Sequence, residues 1–319
     1  MMLGSNPQGK GRILLADALA VAEAATVLRD GGIVAVPTET VYGLAADASN
    51  AKAVAKIYAA KGRPDFNPLI VHVPDLEAAE AIAHFDDRAI ALADRFWPGA
   101  LTLVLPMKVD AKIAPAVTAG LPTIALRCPS HPVMQALLLA SGLVVAAPSA
   151  NRSGGISPTT AAHVADSLGD AAPLIIDAGA CRAGLESTIV ALRADSWQIL
   201  RPGPITAEQI EAVLGTPPIK HNENGIEAPG QLASHYAPSK PVRLNADTAT
   251  SDEWHVGFGA ISGDENLSAS GNLAEAASNV FAALHRADAS DRLVIAVAPI
   301  ANDGIGAAIN DRLLRAAAR

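Results

Sequence analysis

The chain has 319 residues, half of them hydrophobic but only 3% aromatic. That length suits one large or two ordinary domains with a substantial core, packed largely by Ala and Val. The formal net charge of −8 and a pI near 5.5 argue against broad electrostatic binding of nucleic acid, and the absence of any run of about 18 apolar residues excludes an expected membrane-spanning helix.

The first residues, MMLGSNPQGKGR, are polar and lack the apolar middle of a signal peptide. Residues 1–11 therefore read as a flexible leader, and the protein as cytoplasmic. Ala16 to Arg29 reads as an amphipathic helix with Ala20, Ala24, Val27 and Leu28 inward, stopped by Asp30-Gly31-Gly32. Ile33 to Val36 and Leu69 to Val73 read as short buried strands. The stretch Pro37 to Val73 carries the densest polar chemistry in the chain. A helix from Ala51 to Ala60 is expected within it, capped by Asn50, whose side-chain oxygen can accept an orphan N–H. Val54, Ile57 and Tyr58 form its apolar face, and Gly62 and Pro64 end it. Lys61 and Arg63 then sit at the helix exit. Two cations flanking a glycine suit a phosphate clamp, the Arg as a planar fork and the Lys as a point charge. Basic residues in a last turn equally complement the macrodipole, and spacing alone leaves both readings open.

Leu76 to Ala83 and Asp87 to Phe96 read as helices. Trp97-Pro98-Gly99 breaks the second, with Trp97 as core, and delivers the strand Leu101 to Leu105. Thr123 to Arg127 is a strand ending in a cation, either a surface charge or a group aimed into a crevice by the Cys128-Pro129 turn. Val133 to Leu139 is helical, and the strand Leu143 to Ala147 delivers Pro148-Ser149-Ala150-Asn151. In the loop Ser153 to Thr159, Ser157 reads as an N-cap with Pro158 as the first helical residue, which is an ordinary capped helix or an anion site. Further strands are expected at Leu174–Ile176, Ile189–Val190 and Gln198–Leu200, and a capping box at Thr206 and Gln209. His72, alone in an apolar strand, reads on its own as structural. Cys128 and Cys181 form no disulfide framework and no zinc site, and read as small buried residues. Strands and helices in mixed order, with strand ends turning into polar segments, predict an α/β fold whose site gathers at strand ends.

Gly215 to Pro241, rich in Pro, Asn, Gly and Glu, reads as a linker long enough to imply a function of its own or disorder. Beyond it, strands at Val242–Leu244, Val256–Phe258 and Leu293–Ala298, with helices at Leu273–His285 and Ile305–Ala317, form a second small α/β unit without a site motif. The expected organisation is a leader at 1–11, a first domain at 12–214, a linker at 215–241 and a small domain at 242–319.

PTETVYGL from Pro37, KGRPDFNPLIVH from Lys61 and PSAN from Pro148, taken together, resemble the Sua5/YciO/YrdC family, whose KxR…SxN signature is matched by Lys61, Arg63, Ser149 and Asn151. WPGALTLVL, LPTIALRCPSH, SPT, GLESTIV and ILRPG extend the resemblance over residues 12 to 214, and Ser234-His235-Tyr236-Ala237-Pro238 is similar to the two-domain Sua5 branch. The resemblance implies a YrdC-like twisted mixed sheet with a concave nucleotide-binding face, plus a small Rossmann-like C-terminal domain. It implies a nucleotidyltransferase that makes threonylcarbamoyl-AMP and pyrophosphate from L-threonine, bicarbonate and ATP. The product would pass to a downstream tRNA threonylcarbamoyl transferase that modifies adenosine 37 of tRNAs reading ANN codons, with a weak tRNA contact left open and no membrane partner.

By the same resemblance Lys61 and Arg63 are catalytic. Arg63, Asn67, Thr123, Ser149, Asn151, Ser157, Arg201 and Tyr236 hold ATP, and Thr40, His72, Arg127, Ala147 and Ser187 hold L-threonine, with Arg127 bidentate on its carboxylate. Mg²⁺ is expected on ATP phosphates and water, with no metal site built by the protein. Glu39 and Glu186 are the carboxylates nearest these motifs and receive no role. The linker, with His235 and Tyr236 between Pro229 and Pro238, is expected to fold over the nucleotide as a lid that keeps water from an acyl-adenylate. Two other functions compete. An RNA-binding protein using the same hollow would need a basic surface, which the acidic balance opposes. A carbamoyl transferase acting on another acceptor, as in hydrogenase maturation proteins, would carry zinc-finger cysteine pairs that this chain lacks.

Overall fold

The computed structural model describes residues 11–219, 227–231 and 234–318. All of the expected leader except Gly11, and linker residues 220–226 and 232–233, lie outside the described residues.

The first domain runs through β1 (Ile13–Leu15), α1 (Ala18–Arg29), β2 (Val34–Val36), β3 (Gly43–Asp47), α2 (Ala51–Lys61), β4 (Ile70–His72), α3 (Leu76–Glu80), α4 (Asp87–Phe96) and β5 (Leu101–Pro106). It continues through α5 (Pro115–Thr118), β6 (Thr123–Arg127), α6 (Pro132–Ser141), β7 (Val145–Ala146), α7 (Ala161–Leu168), β8 (Leu174–Asp177), β9 (Thr188–Leu192), β10 (Trp197–Arg201) and α8 (Ala207–Leu214). Among the described residues, ten strands form one sheet in the order β1-β8-β2-β3-β7-β4-β6-β5-β9-β10. Its pairings are mixed: β4 runs parallel to β6 and antiparallel to β7, and β5 parallel to β9. The second domain holds β11 (Val242–Arg243), β12 (Glu253–Gly257), β13 (Glu265–Asn266), α9 (Leu273–Ala289), β14 (Val294–Val297) and α10 (Gly306–Ala317), with a parallel sheet ordered β11-β14-β12-β13.

Side-chain alternation decides what each face of the large sheet does. Val71, Leu103, Leu126 and Val190 enter the main core with α2 and α4, while their neighbours Ile70, Val104, Ala125 and Ile189 form a small cluster on the other face, covered by linker residue Ala228. His72 follows two residues after Ile70 and so shares that second face. Its register partner on β6 is Arg127. A histidine and an arginine thus stand side by side at adjoining strand ends.

Several boundaries differ from the sequence reading. Strand β3 was hidden because GLAAD lacks β-branched residues, and its pairing with β2 and β7 supplies the stability that propensity does not. Helix α1 starts at Ala18, where Asp17 accepts from the Ala20 N–H, and Val27 is half-buried. Trp97 is likewise half-buried, its Nε1 donating to the Leu101 carbonyl. The helix expected to open at Pro158 opens at Ala161, with Thr160 as its cap. Ser157 does not cap it, because its hydroxyl is engaged by Glu186. The caps at Asn50 and the Thr206–Gln209 capping box form as expected, and Cys128 and Cys181 are buried free thiols.

Candidate active site

Four segments that follow or precede strands converge with the linker on one pocket. It is lined by Thr38, Thr40 and Val41 after β2, Ile70 and His72 of β4, Arg127 at the end of β6, and Ala147, Pro148 and Ser149 after β7. Arg63, Glu186, Ser187, Arg201 and the linker residues Pro229, Gly230, His235 and Tyr236 complete the wall. The pocket is narrow, with about 40 Å³ of space inside it, and opens to solvent.

Hydrogen bonds within and between these segments hold most of the polar side chains of the wall. The Thr38 hydroxyl accepts the Thr40 and Val41 N–H groups and donates to the Val41 carbonyl at 2.7 Å, which folds the PTET turn. Arg63 Nε donates to the Asn67 carbonyl at 3.1 Å and Nη2 to the Pro68 carbonyl at 2.8 Å, closing the loop after α2. Arg127 donates from Nε to the Gly99 carbonyl, from Nη1 to Thr40 at 2.9 Å and from Nη2 to Glu39 at 2.6 Å. The fork expected to grip a substrate carboxylate is therefore already engaged on both arms. Arg201 donates to the Ser187 carbonyl at 2.9 Å and to Pro229 of the linker at 3.4 Å, and the Ser187 and Thr102 hydroxyls share a hydrogen bond of 2.7 Å.

Lys61 is buried beside the pocket and does not line it. Its Nζ donates to the carbonyls of Ser149 at 2.5 Å and Asn151 at 2.6 Å, so the two halves of the KxR…SxN signature are tied to each other. The Ser149 hydroxyl donates to Asn151 Oδ1 at 2.6 Å, and Asn151 Nδ2 donates to the Gly155 carbonyl. Asn67 adjoins Arg63, and Thr123 sits at the opposite end of β6 from Arg127. Ser157 meets the site through Glu186.

Burial shapes the charges. Desolvation, helped by the Arg63 charge, pushes Lys61 well below its ordinary value although Glu186 opposes this. Burial lowers Arg63 to about 10, and lowers His72 and His235 each to about 3, so both histidines are neutral at pH 7. Burial works against ionisation of Glu39 and Glu186, but Arg127 beside the first and Arg312 and Arg201 beside the second hold both below the usual carboxylate value. Buried polar atoms normally find partners. Yet Asn67 Oδ1 and Nδ2, His72 Nδ1, His235 Nδ1 and the Tyr236 hydroxyl have none among the described residues. Of these, His72, His235 and Tyr236 line the pocket and, with three arginines, prepare it for a polar anionic ligand.

The linker is shaped for its place. Gly230 has φ +89°, and a Cβ there would stand 2.6 Å from the Tyr236 hydroxyl and 2.8 Å from Arg201 Cδ. Tyr236 itself takes φ 61°, a left-handed backbone rare for bulky residues and characteristic of functional sites. Two residues escaped the sequence reading. Arg312, 126 positions from its partner Glu186, looks in sequence like one more basic residue of a terminal helix. Glu39 lay within a matched motif but gave no sign of its partner.

Fold and pocket thus define a two-domain α/β protein with a narrow, arginine-lined pocket at the strand ends of a large mixed sheet. A family model described as telomere recombination, that of the Sua5, YciO and YrdC proteins, matches residues 26–203, and one described as the C-terminal domain of threonylcarbamoyl-AMP synthase matches residues 205–318. The chain belongs to the Sua5/YciO/YrdC family and is a two-domain enzyme of the Sua5 type. It is 50% identical over 232 residues to a Bacillus subtilis protein named threonylcarbamoyl-AMP synthase, a match that spans 70% of this chain and 66% of that one. It is 39% identical over 317 residues to a Pyrococcus abyssi protein of the same name, covering 92% of each. The solved structure of P. abyssi Sua5 complexed with L-threonine superposes with a TM-score of 0.87 at 36% identity, covering 96% of this chain and 97% of that one. Among the described residues, no helix is long and apolar enough to cross a membrane.

Proposed function

We propose that this chain is an L-threonylcarbamoyladenylate synthase. It joins L-threonine, bicarbonate and ATP into threonylcarbamoyl-AMP and pyrophosphate, and its product feeds a tRNA threonylcarbamoyl transferase acting at adenosine 37. The observation that carries the reading is the convergence of Arg63, Arg127 and Arg201 on one pocket, where His72 Nδ1, His235 Nδ1 and the Tyr236 hydroxyl are buried without hydrogen-bond partners. The names of the relatives and the threonine-bound neighbour support it.

In this reading threonine's amine attacks the carbon of bicarbonate, water is lost, and an oxygen of the resulting carbamate attacks the α-phosphorus of ATP. The bond to pyrophosphate breaks, and two anions must be held against each other while it does. Arg63 and Arg201 neutralise the phosphates, and Lys61 holds the Ser149–Asn151 turn behind them. Positioning and charge neutralisation supply most of the rate. Strand β6 spans about 13 Å between its ends, which suits Thr123 near the nucleoside and Arg127 near the amino acid. Thr40, His72, Ser187 and the Ala147 backbone meet threonine's polar groups, and Asn67, Ser149, Asn151 and Ser157 serve the nucleotide side.

Among the described residues no cluster of three His, Cys, Asp or Glu side chains could hold an ion, and Glu39 and Glu186 are both paired with arginines. In this reading Mg²⁺ travels with the nucleotide, on phosphate and water oxygens. His235 and Tyr236 of the linker line the pocket, and in this reading the linker lifts to admit substrates and closes over them to exclude water.

The test is direct. Purified protein with labelled threonine, bicarbonate, ATP and Mg²⁺ is expected to release threonylcarbamoyl-AMP and pyrophosphate. Pyrophosphate release that ignores threonine, or no adenylate at all, overturns the proposal.

A further inference from the structure

The second domain reaches into the pocket of the first. Helix α10 carries Arg312, whose side chain is fully buried. Its Nε donates to Glu186 at 2.8 Å, Nη2 to the Pro202 carbonyl at 2.9 Å, and Nη1 to Asp311 at 2.6 Å. The same guanidinium lies 5.1 Å from the centroid of the Tyr236 ring, within cation–π range. One side chain of the second domain thus touches both the carboxylate of the pocket and the aromatic of the linker.

Glu186 is out of place in a site for phosphates. It lines the cavity with Arg63 and Arg201, and an ionised carboxylate in a narrow, poorly solvated pocket repels an anionic ligand. Arg201 and Lys61 lie close enough to act on it electrostatically, but their hydrogen bonds go to Ser187, Pro229 and the Ser149–Asn151 turn. The ion pair that Glu186 does make is with Arg312. Its other oxygen accepts the Ser157 hydroxyl, and the Ser157 carbonyl faces His285 of α9 at 3.1 Å, again from the second domain.

We propose that Arg312 is a positioning residue of the nucleotide site, one that neutralises Glu186 and seats the Tyr236 ring, so that the pocket accepts phosphates only when the second domain is docked. This rests on the reading of the pocket as a nucleotide site. Without Arg312, Glu186 is a buried carboxylate that keeps the Ser157 hydroxyl and the charge of Arg201 but loses its ion-pair partner, so its pKa rises. It ionises only at higher pH, is neutral and tolerated below that point, and repels phosphate above it. The groups facing it are Ser157, Lys61, Arg201, His235, Tyr236 and Arg312 with Asp311. Glu186 acts on Lys61 and His235 in turn, so the double variant, which removes the carboxylate, separates its titration from theirs.

The experiment measures ATP binding by calorimetry, with ATP–Mg²⁺ as the probe, and ATP KM and kcat for adenylate formation, at pH 6 and pH 8.5. In the full chain, Arg312→Met is expected to weaken ATP by about tenfold or more at pH 8.5, clearly less at pH 6, and to raise KM more than it lowers kcat. Arg312→Lys, which keeps the charge, recovers most of the affinity. The double variant Glu186→Gln/Arg312→Met, which removes both charges, also recovers most of it and loses the pH dependence. If Arg312→Met does not fold, Glu186→Gln alone decides, because loss of a repulsive charge is expected to tighten ATP several-fold. A double variant no better than Arg312→Met, a defect indifferent to pH, or weaker ATP binding by Glu186→Gln overturns the proposal and leaves Arg312 a structural residue. Failure of the wild-type chain to bind ATP is a different result, which overturns the nucleotide reading itself and this inference with it.

Discussion

Arg127 and Glu39 meet at 2.6 Å with 4% and 9% of their side chains exposed, so the cation at the end of β6 is held by a carboxylate from the turn after β2. Removing one member of a buried pair strands the other, at a cost of about 3–5 kcal/mol. Glu39→Ala is expected to lower stability by that order in urea unfolding. It also frees Arg127 to swing from Thr40, so threonine affinity falls much more than ATP affinity. Equal losses for both substrates, measured by calorimetry, contradict the role given to this pair.

Threonine is expected to be strongly preferred over valine. A pocket that hydrogen-bonds a substrate hydroxyl leaves its own groups unpaired when the hydroxyl is missing, and Thr40 and Ser187 are the proposed contacts. Serine keeps the hydroxyl and loses a methyl contact of about 1 kcal/mol. Comparison of kcat/KM for the three amino acids checks this, and equal turnover of valine and threonine refutes it.

Arg63→Ala is expected to cost about 1.5–3 kcal/mol of ATP binding, the worth of a charge-assisted bond in a closed site. The structure adds a second effect. The Pro68 carbonyl loses its Arg63 donor and the Asn67 carbonyl keeps only the Tyr58 hydroxyl, so the loop after α2 loosens and the melting temperature falls slightly. A folded variant with unchanged ATP affinity removes Arg63 from the site.

The strands and helices that carry these residues were legible because their signals are local. Asn50, Gly62 and the Thr206–Gln209 box act within one turn, and the alternation in Ile70–Val73 is a property of four residues. Lys61 and Arg63 were found, but their partners were not: Lys61 binds carbonyls some 90 positions away, and backbone carbonyls carry no signature. Arg312 was illegible for the same reason, since its meaning comes from domain docking. Ser157 was misread because a Ser-Pro pair supports a cap, and only the distant Glu186 decides that its hydroxyl goes elsewhere.

Stability is expected to fall with acid through His72. Burial pushes it from the ordinary 6.5 down to about 3, so between those values the unfolded chain binds a proton that the folded chain refuses. The contribution is fully present above pH 6.5 and is lost as pH falls toward 3, with a limiting slope of about 1.4 kcal/mol per pH unit. His235, also lowered to about 3 by burial, adds the same sign, and its protonation is expected to release the linker before the sheet melts. Urea midpoints at pH 7, 6 and 5 test the first point. A His72→Asn variant with the same acid slope as wild type rules out His72 as its source.

The linker is expected to work as a closing strap. Its Tyr236 ring is 1% exposed, packs 5.6 Å from Phe281 of the second domain and belongs to the same apolar cluster as Val41, Ile156 and Leu185 of the first. The Ala237 N–H donates to the Gly154 carbonyl at 2.8 Å, and Glu227 forms two contacts with Arg193 at 2.7 and 2.8 Å. Tyr236→Ala is expected to bind ATP but make less adenylate, and to lose more of it to hydrolysis as water enters. A chain ending at Leu214 keeps the large sheet and is expected to fold, with lower stability because Val41, Ile156 and Leu185 lose their cover. It should make far less product, having neither Tyr236 nor Arg312. Protease nicking of the linker is expected to slow when ATP and threonine are both bound. If the truncated chain runs at full rate and nicking is indifferent to substrates, the segment is a tether and the small domain a passenger.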